Sequence, residues 1–147
     1  MIPEKVGYKK VLSYIGYWII SLTWGGIMTG IGLIVSIVLL LTGHKPRKFG
    51  PNIYFVVGDQ WGGLELGGFF LVSHYSSIDT IYHEAGHGIQ NLIWGPLMPF
   101  VISIPSAIRY WYREYLIRSG KKKTSELPPY DSIWFEGQAT RWGKKFY

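Results

Sequence analysis

The stretch that decides the fold is residues 76–94, which read SSIDTIYHEAGHGIQNLIW. A serine just ahead of Ile78, with Asp79 close behind it, is typical of a helix start, because the serine oxygen caps free backbone N–H groups. The Gly-Pro pair that follows residue 94 is a helix stop. His83 and His87 are four residues apart and therefore share one face of this helix. The sequence thus predicts a helix that can direct two imidazole nitrogens at one metal ion.

The third ligand must be Asp, Glu or His, because the sequence contains no cysteine. A zinc ion in a hydrolase has three protein ligands and one open position. We expect Glu136 in this role, since the small Ala139 one turn further on would let its helix approach the histidine helix. Asp131 and Glu126, which lie in or beside a loop, remain alternatives. Glu84 follows the first histidine and is placed to act as general base on a metal-activated water.

This combination resembles the gluzincin class of zinc metallopeptidases, in which HExxH is followed by a distant Glu-x-x-Ala. Residues 62–143 resemble more closely a family of small, largely uncharacterised bacterial membrane proteins. In that family an N-terminal hydrophobic helix precedes Gly-Gly-x-x-Leu-Gly, HExGHxxQ, Gly-Pro-Leu and Glu-x-x-Ala-Asp. The matching stretches here are residues 62–67, 83–90, 95–97 and 136–139. The resemblance implies Zn²⁺ as cofactor, with His83, His87 and Glu136 as ligands and Glu84 as the catalytic base.

One residue departs from the family pattern. Thr140 stands where the pattern has aspartate, and in related peptidases that aspartate often supports a zinc-bound histidine. Because threonine accepts a hydrogen bond but carries no charge, we expect metal binding to be retained better than efficient catalysis. Gln90 is expected to bond to local polar groups or, alternatively, to the substrate backbone. A side chain that steadies the oxyanion is also expected, and the candidate tyrosines are Tyr82, Tyr110, Tyr112 and Tyr130.

An uncharged stretch near the N-terminus indicates a membrane segment. Residues 11–43 contain no charged side chain, and about 20 apolar residues are enough for a helix to cross the hydrocarbon core. We expect a single transmembrane helix that starts near Tyr17, with residues 27–41 deepest in lipid and residues 8–20 as an interfacial approach. A kink or a re-entrant hairpin at Gly25 and Gly26 is the alternative. The run is too long for a signal peptide.

The fold class that follows is α+β, in two parts. Residues 1–48 are interpreted as a membrane anchor with basic flanks, and residues 49–147 as a minimal zincin-like metallopeptidase domain. In that domain, residues 52–57 and 66–73 are predicted to pair as a β-hairpin, because turn-forming residues separate them. Residues 130–142 are predicted to form the last helix.

Two further segments leave alternatives open. Residues 92–108 are uncharged but contain three prolines, so they are expected to be re-entrant, interfacial or simply buried. Residues 109–118, RYWYREYLIR, are suited to a membrane surface, or else form a surface helix whose aromatic side chains pack inward.

The charge pattern bears on partners and location. The formal net charge is +6, but the basic residues lie beside apolar stretches and do not form an arginine-rich stripe. Anionic lipid headgroups are therefore expected as partners, and nucleic acid is not. Gly26 and Gly30 fit a small-xxx-small pattern, which favours homo-oligomerisation through the membrane helix. We expect an integral protein of the bacterial inner membrane, with the later basic residues placing the catalytic domain in the cytoplasm.

These observations lead to one main hypothesis and two alternatives. The main hypothesis is a membrane-anchored zinc peptidase that hydrolyses a peptide or protein substrate. A non-catalytic, zinc-stabilised membrane scaffold or assembly protein is the first alternative. An intramembrane metalloprotease is the second, because the proline-broken segment after the HExxH helix could bring the motif to lipid depth.

Overall fold

The computed structural model describes residues 7–147. The N-terminal end of the predicted anchor, including its basic residue Lys5, lies outside them. The fold is mixed α+β, as predicted, and contains a four-stranded sheet. In chain order the elements are α1 (Tyr8–Leu22), α2 (Gly26–Leu41), β1 (Arg47–Phe49), β2 (Asn52–Val56), β3 (Gly63–Leu66), β4 (Phe69–Val72), α3 (Ile78–Trp94), α4 (Ile104–Arg118) and α5 (Trp134–Phe146).

The apolar N-terminal stretch forms two helices, so the prediction of one continuous helix is wrong. Helices α1 and α2 meet at 98°, and within residues 7–147 no single helix is both long and apolar enough to cross a membrane. The break follows Thr23, whose hydroxyl donates to the carbonyl of Ile19. At Gly25 a β-carbon would collide with the side chain of Asn91 from α3. The bend at the glycine pair, left open from the sequence, is therefore held by a tertiary contact.

Helix α2 turns its small and polar side chains toward the protein. Its buried residues are Met28, Thr29, Gly32 and Ser36. Its outer surface is apolar, with Ile34 66% and Leu41 83% exposed. This distribution is the reverse of an amphipathic helix on a water-soluble core, which buries its apolar stripe.

The sheet has the strand order β1-β2-β4-β3. Strands β2 and β4 pair in parallel, so the predicted hairpin between residues 52–57 and 66–73 is wrong. The glycine-rich connection contributes a strand of its own, β3, which forms the antiparallel partner of β4. Gly67 makes the tight turn between them with φ +72°, and a β-carbon there would collide with Thr29. Because β3 stands at one end of the strand order, it is an edge strand.

Helix α3 follows the prediction closely. The side chain of Ser77 accepts a hydrogen bond from the N–H of Thr80, and the helix ends at Gly95, where φ is +49°. The uncharged segment that follows bends through a 3₁₀ turn, Gly95–Leu97, and a π-helical turn, Pro99–Ser103, into α4. As a result, α3 and α4 with their adjoining turns form a second bent apolar pair, at 117°.

The last helix, α5, packs directly on α3. It begins at Trp134, four residues later than predicted, because Pro129 and a 3₁₀ turn over Tyr130–Ser132 precede it. A β-carbon on Gly86 would collide with the backbone of Ala139, and one on Gly143 with the carbonyl of Tyr82. These two close approaches bring the first turn of α5 against the histidine face of α3.

Candidate metal centre

His83, His87 and Glu136 lie together at the crossing of α3 and α5. The Nε2 atoms of the two histidines are 3.1 Å apart. Glu136 Oε2 lies 3.0 Å from the first and 3.1 Å from the second. These three side chains form a group that can hold a metal ion. The alternatives Asp131 and Glu126 are exposed and do not belong to it.

The donor atoms suit a small transition-metal ion. Two imidazole nitrogens and one carboxylate oxygen are the ligands of many catalytic zinc sites, with bonds of about 2.0–2.2 Å. A tetrahedral ion with such bonds separates its ligand atoms by about 3.4 Å. The observed separations of 3.0–3.1 Å are within a few tenths of an ångström of that value. The residues present therefore fit a metal, and their chemistry alone does not set its identity.

Each histidine is oriented by a hydrogen bond from its other ring nitrogen. The hydroxyl of Thr140 lies 2.9 Å from Nδ1 of His83. Thr140 therefore occupies the supporting position at which the family pattern described above has aspartate. Gln90 Oε1 lies 2.6 Å from Nδ1 of His87. The amide nitrogen of Gln90 donates to Phe135 O and to Gln138, so its oxygen is the acceptor. The contacts of Gln90 are thus local, and they hold His87 Nε2 toward Glu136.

The carboxyl group of Glu136 is held in place by a residue that sequence reasoning missed. Ser106 of α4 donates a hydrogen bond of 2.5 Å to Oε1 of Glu136. Its hydroxyl also lies 3.4 Å from that of Tyr130. Ser106 precedes Glu136 by thirty residues in an unremarkable part of the chain, so no local pattern marks it.

The charges within the triad, which consists of His83, His87 and Glu136, compensate one another. Burial alone would raise the pKa of Glu136, but hydrogen bonds from His83 and His87 hold it well below its usual range. Burial would lower the pKa of His87, but its hydrogen bond to Glu136 and the nearby Glu84 raise it to about 9. In the metal-free protein a proton therefore competes with a metal for this imidazole.

Glu84 lies beside the triad in a cleft. It is buried, and it lines the same cavity as His83 and His87. Burial raises the pKa of Glu84, an effect opposed by the two histidines. A β-carbon on Gly63 would collide with the carboxyl group of Glu84, so this glycine of β3 provides the space that Glu84 occupies.

Of the four tyrosines proposed to steady the oxyanion, two line the cleft and two do not. Tyr110 and Tyr130 both line it. Tyr82 packs edge-on against Phe49, with ring centres 5.2 Å apart, and Tyr112 is 61% exposed; neither lines the cavity next to His83 and His87. The cleft thus offers two tyrosine hydroxyls to a bound molecule.

A second acidic side chain in the cleft was not expected from the sequence. Glu65 of β3 is buried, and its carboxyl group accepts a hydrogen bond from the N–H of Gly67. Burial raises its pKa to about 8, an effect opposed by His87. The alternation of side chains along a short strand predicts which face of the sheet Glu65 is on. It does not predict that this face lies beside α3.

No protein-family model, curated protein or solved structure matches this chain. What the structure shows at this site is a group of two histidines and one glutamate that can hold a metal ion.

Proposed function

We propose that this protein is a membrane-anchored zinc peptidase. The observation that carries the proposal is the group formed by His83, His87 and Glu136, with Glu84 in the cleft beside it. Two neutral imidazoles and one carboxylate leave a zinc ion one open position, which is the arrangement of catalytic sites rather than closed structural ones. When bound, the ion would supply a Lewis acid that activates water and polarises a peptide carbonyl.

We assign both proton transfers of the reaction to Glu84. Its carboxylate takes a proton from the water that attacks the carbonyl carbon, and it returns that proton to the amine when the C–N bond breaks. Burial strengthens Glu84 as a base, because burial raises its pKa. Tyr130 and Tyr110, which both line the cavity, are the candidate donors to the developing oxyanion.

Strand β3 gives the substrate a place to bind. It is an edge strand of the sheet, and its residues Gly63, Leu64 and Glu65 line the cleft. An extended peptide can add to such an edge through backbone hydrogen bonds, which hold the chain without demanding a particular sequence.

The bilayer is the proposed partner of the N-terminal helices. The outer surface of α2 consists of large apolar side chains, while its small polar ones are buried, and lipid is the environment that favours this arrangement. Lys9 and Lys10 at the start of α1, and Lys45, Arg47 and Lys48 after α2, are exposed where anionic headgroups would contact them. We place the protein in the bacterial inner membrane with its cleft on the cytoplasmic side. We also propose that a second copy of the chain packs on α2.

A second candidate function is a metal-stabilised membrane scaffold. The observation that favours it is that the triad ties α3 to α5 while both histidines are supported by uncharged groups, Thr140 and Gln90. A bound ion would then contribute mainly to folding stability.

A substitution of Glu84 separates the two functions. We expect the purified protein to hold about one zinc per chain and to cleave unstructured peptides. Glu84→Gln keeps the shape of the side chain and the metal, but should lower the cleavage rate by roughly 10²–10⁴-fold, the usual contribution of a general base. Metal content is measured by atomic emission and cleavage by mass spectrometry of the products.

The control is Glu126→Gln, an exposed glutamate outside the triad, which should leave metal content and cleavage unchanged. Glu136→Ala should lose the metal. Cleavage that survives in Glu84→Gln rules out the peptidase mechanism. Bound zinc that raises the melting temperature without any cleavage favours the scaffold.

A further inference from the structure

The cavity lined by His83, His87 and Glu84 is mostly apolar away from these residues. Its side walls are formed by Trp61, Leu64, Ile102, Tyr110 and Trp111. The wall residues come from β3 and the loop before it on one side, and from α4 and the turn before it on the other. Apolar walls with a few polar groups at one end are typical of sites that bind one side chain of a larger ligand.

The size of the cavity matches one bulky side chain. Its volume is about 160 Å³, close to the roughly 150 Å³ of an engineered apolar cavity that holds a benzene ring. A phenylalanine, leucine or methionine side chain has a size that suits the space between these apolar walls. A negatively charged side chain would instead lose its hydration against apolar walls and lie near the buried carboxyl groups of Glu65 and Glu84, which is costly.

Two wall residues are also exposed at the surface. Trp111 is 65% and Leu64 is 44% exposed, so both reach from the interior of the cavity to its entrance. They stand on opposite sides, on α4 and β3. A peptide that enters between them places its side chain in the cavity and its backbone along β3.

The wall that carries Trp111 is held mainly by polar contacts. None of the residues of α4 is buried. Arg109 donates to the carbonyls of Pro129 and Tyr130, and Arg113 donates to that of Pro128. These contacts tie α4, and with it Trp111, to the segment that leads into α5.

We propose that this cavity selects a large apolar or aromatic side chain next to the bond that is cleaved, with Trp111 and Leu64 as the residues that determine specificity. The substrate class is therefore an extended apolar peptide segment, such as one released from or exposed at a bilayer. This inference rests on the proposed peptidase function.

Binding is tested separately from cleavage. The probe is a set of labelled peptides of equal length that carry a single Phe, Leu, Ser or Asp in a Gly-Ala background. The zinc-loaded Glu84→Gln protein in detergent micelles is titrated with each peptide, and fluorescence anisotropy measures the affinity. We expect the Phe and Leu peptides to bind at least roughly 10-fold more tightly than the Ser and Asp peptides.

Two neighbouring residues provide a matched pair of variants. Trp111→Ala, made in the same Glu84→Gln background, should abolish most of the preference for Phe over Ser, and Trp111→Phe should restore it. Tyr112→Ala removes an aromatic ring of similar exposure, 61%, that does not line the cavity, and should leave the preference unchanged. Zinc content verifies that each variant retains its fold.

The possible results have distinct meanings. Equal affinity for the Phe and Ser peptides, or the same effect from Trp111→Ala and Tyr112→Ala, overturns the inference. A clear preference for Phe that depends on Trp111, in a wild-type protein that cleaves nothing, supports the apolar site and overturns the peptidase function. Cleavage by the wild type without any side-chain preference retains the peptidase and overturns the apolar site.

Discussion

The two histidines of the metal centre are both oriented by uncharged oxygen atoms. His83 is bonded to the hydroxyl of Thr140 and His87 to the amide of Gln90. A carboxylate in such a position makes a ligating imidazole more basic, and changes to these supporting groups commonly alter metal affinity 10- to 100-fold. The candidate metal centre therefore has less electrostatic support from Thr140 and Gln90 than carboxylates would give.

Thr140 is the position where that support can be added. Thr140→Asp places a carboxylate beside Nδ1 of His83, at the edge of a solvent-accessible cavity that Lys144 also lines. We expect zinc affinity to rise by about 10-fold, measured by competition with a fluorescent chelator. Thr140→Val, which keeps the shape but not the hydrogen bond, should weaken binding. A Thr140→Asp protein that binds zinc more weakly than the wild type would contradict this account.

Local spacing predicts some residues of the site and not others. His83 and His87 follow from one helical turn, and Glu136 follows from the chemistry of the missing ligand. Ser106 and Glu65 reach the cleft only through the packing of α4 and β3. Their positions depend on tertiary structure, and a single sequence carries no local signal for it.

The crossing of α3 and α5 positions the metal centre. Gly86 lies against Ala139, and Gly143 against Tyr82, with no space for a β-carbon at either glycine. The backbones therefore approach closely enough for Glu136 in the first turn of α5 to reach both histidines on α3. Small residues at an interface have this effect because they remove the side chains that would keep two helices apart.

A single methyl group tests this crossing. Gly86→Ala should destabilise the protein by about 1–3 kcal/mol through overpacking and should also reduce zinc content, because the helices must separate. Gly16→Ala is the matched control, since Gly16 lies within α1 and nothing surrounds its missing β-carbon. That change should stabilise the helix by up to about 1 kcal/mol. Chemical denaturation in micelles compares them, and equal effects would contradict the close approach.

The elements differ in how well their arrangement follows from the sequence. The helix that carries the histidines was predicted because a serine cap and a Gly-Pro stop mark its ends. The pairing of β2 with the segment that contains β4 was predicted, but its parallel direction and the strand β3 on the other side of β4 were not, because strand patterns do not indicate strand direction. The break between α1 and α2 depends on Asn91, sixty-six residues beyond Gly25, so local hydropathy predicted one helix.

At the scale of the whole molecule, the N-terminal helices expose a large apolar surface. Large side chains on α2 are exposed at almost every outward position, and the exposed residues are Ile27, Ile31, Leu33, Ile34, Ile37, Val38, Leu40 and Leu41. Contiguous apolar surface of this kind is rare on monomers in water and marks a membrane or a protein interface. The neighbouring basic residues favour the membrane, because anionic headgroups compensate them.

Flotation with liposomes tests the membrane assignment. We expect the full chain to float with vesicles that contain anionic lipid and to remain bound in high salt and at alkaline pH, since burial of apolar surface dominates the binding. Changing Ile34, Val38 and Leu41 to lysine should release the protein, because each lysine places a charge on the outer face of α2.

The control changes an equal number of exposed aromatic residues outside α1 and α2. Tyr75, Trp134 and Phe146 are 80%, 51% and 59% exposed, and their replacement by lysine adds the same charge to the molecule. If the surface of α2 contacts lipid, only the first variant loses flotation, while both retain zinc. If both variants still float, lipid does not bind this surface. If the first variant instead stays bound but changes from dimer to monomer, the apolar face of α2 is covered by a second copy of the chain.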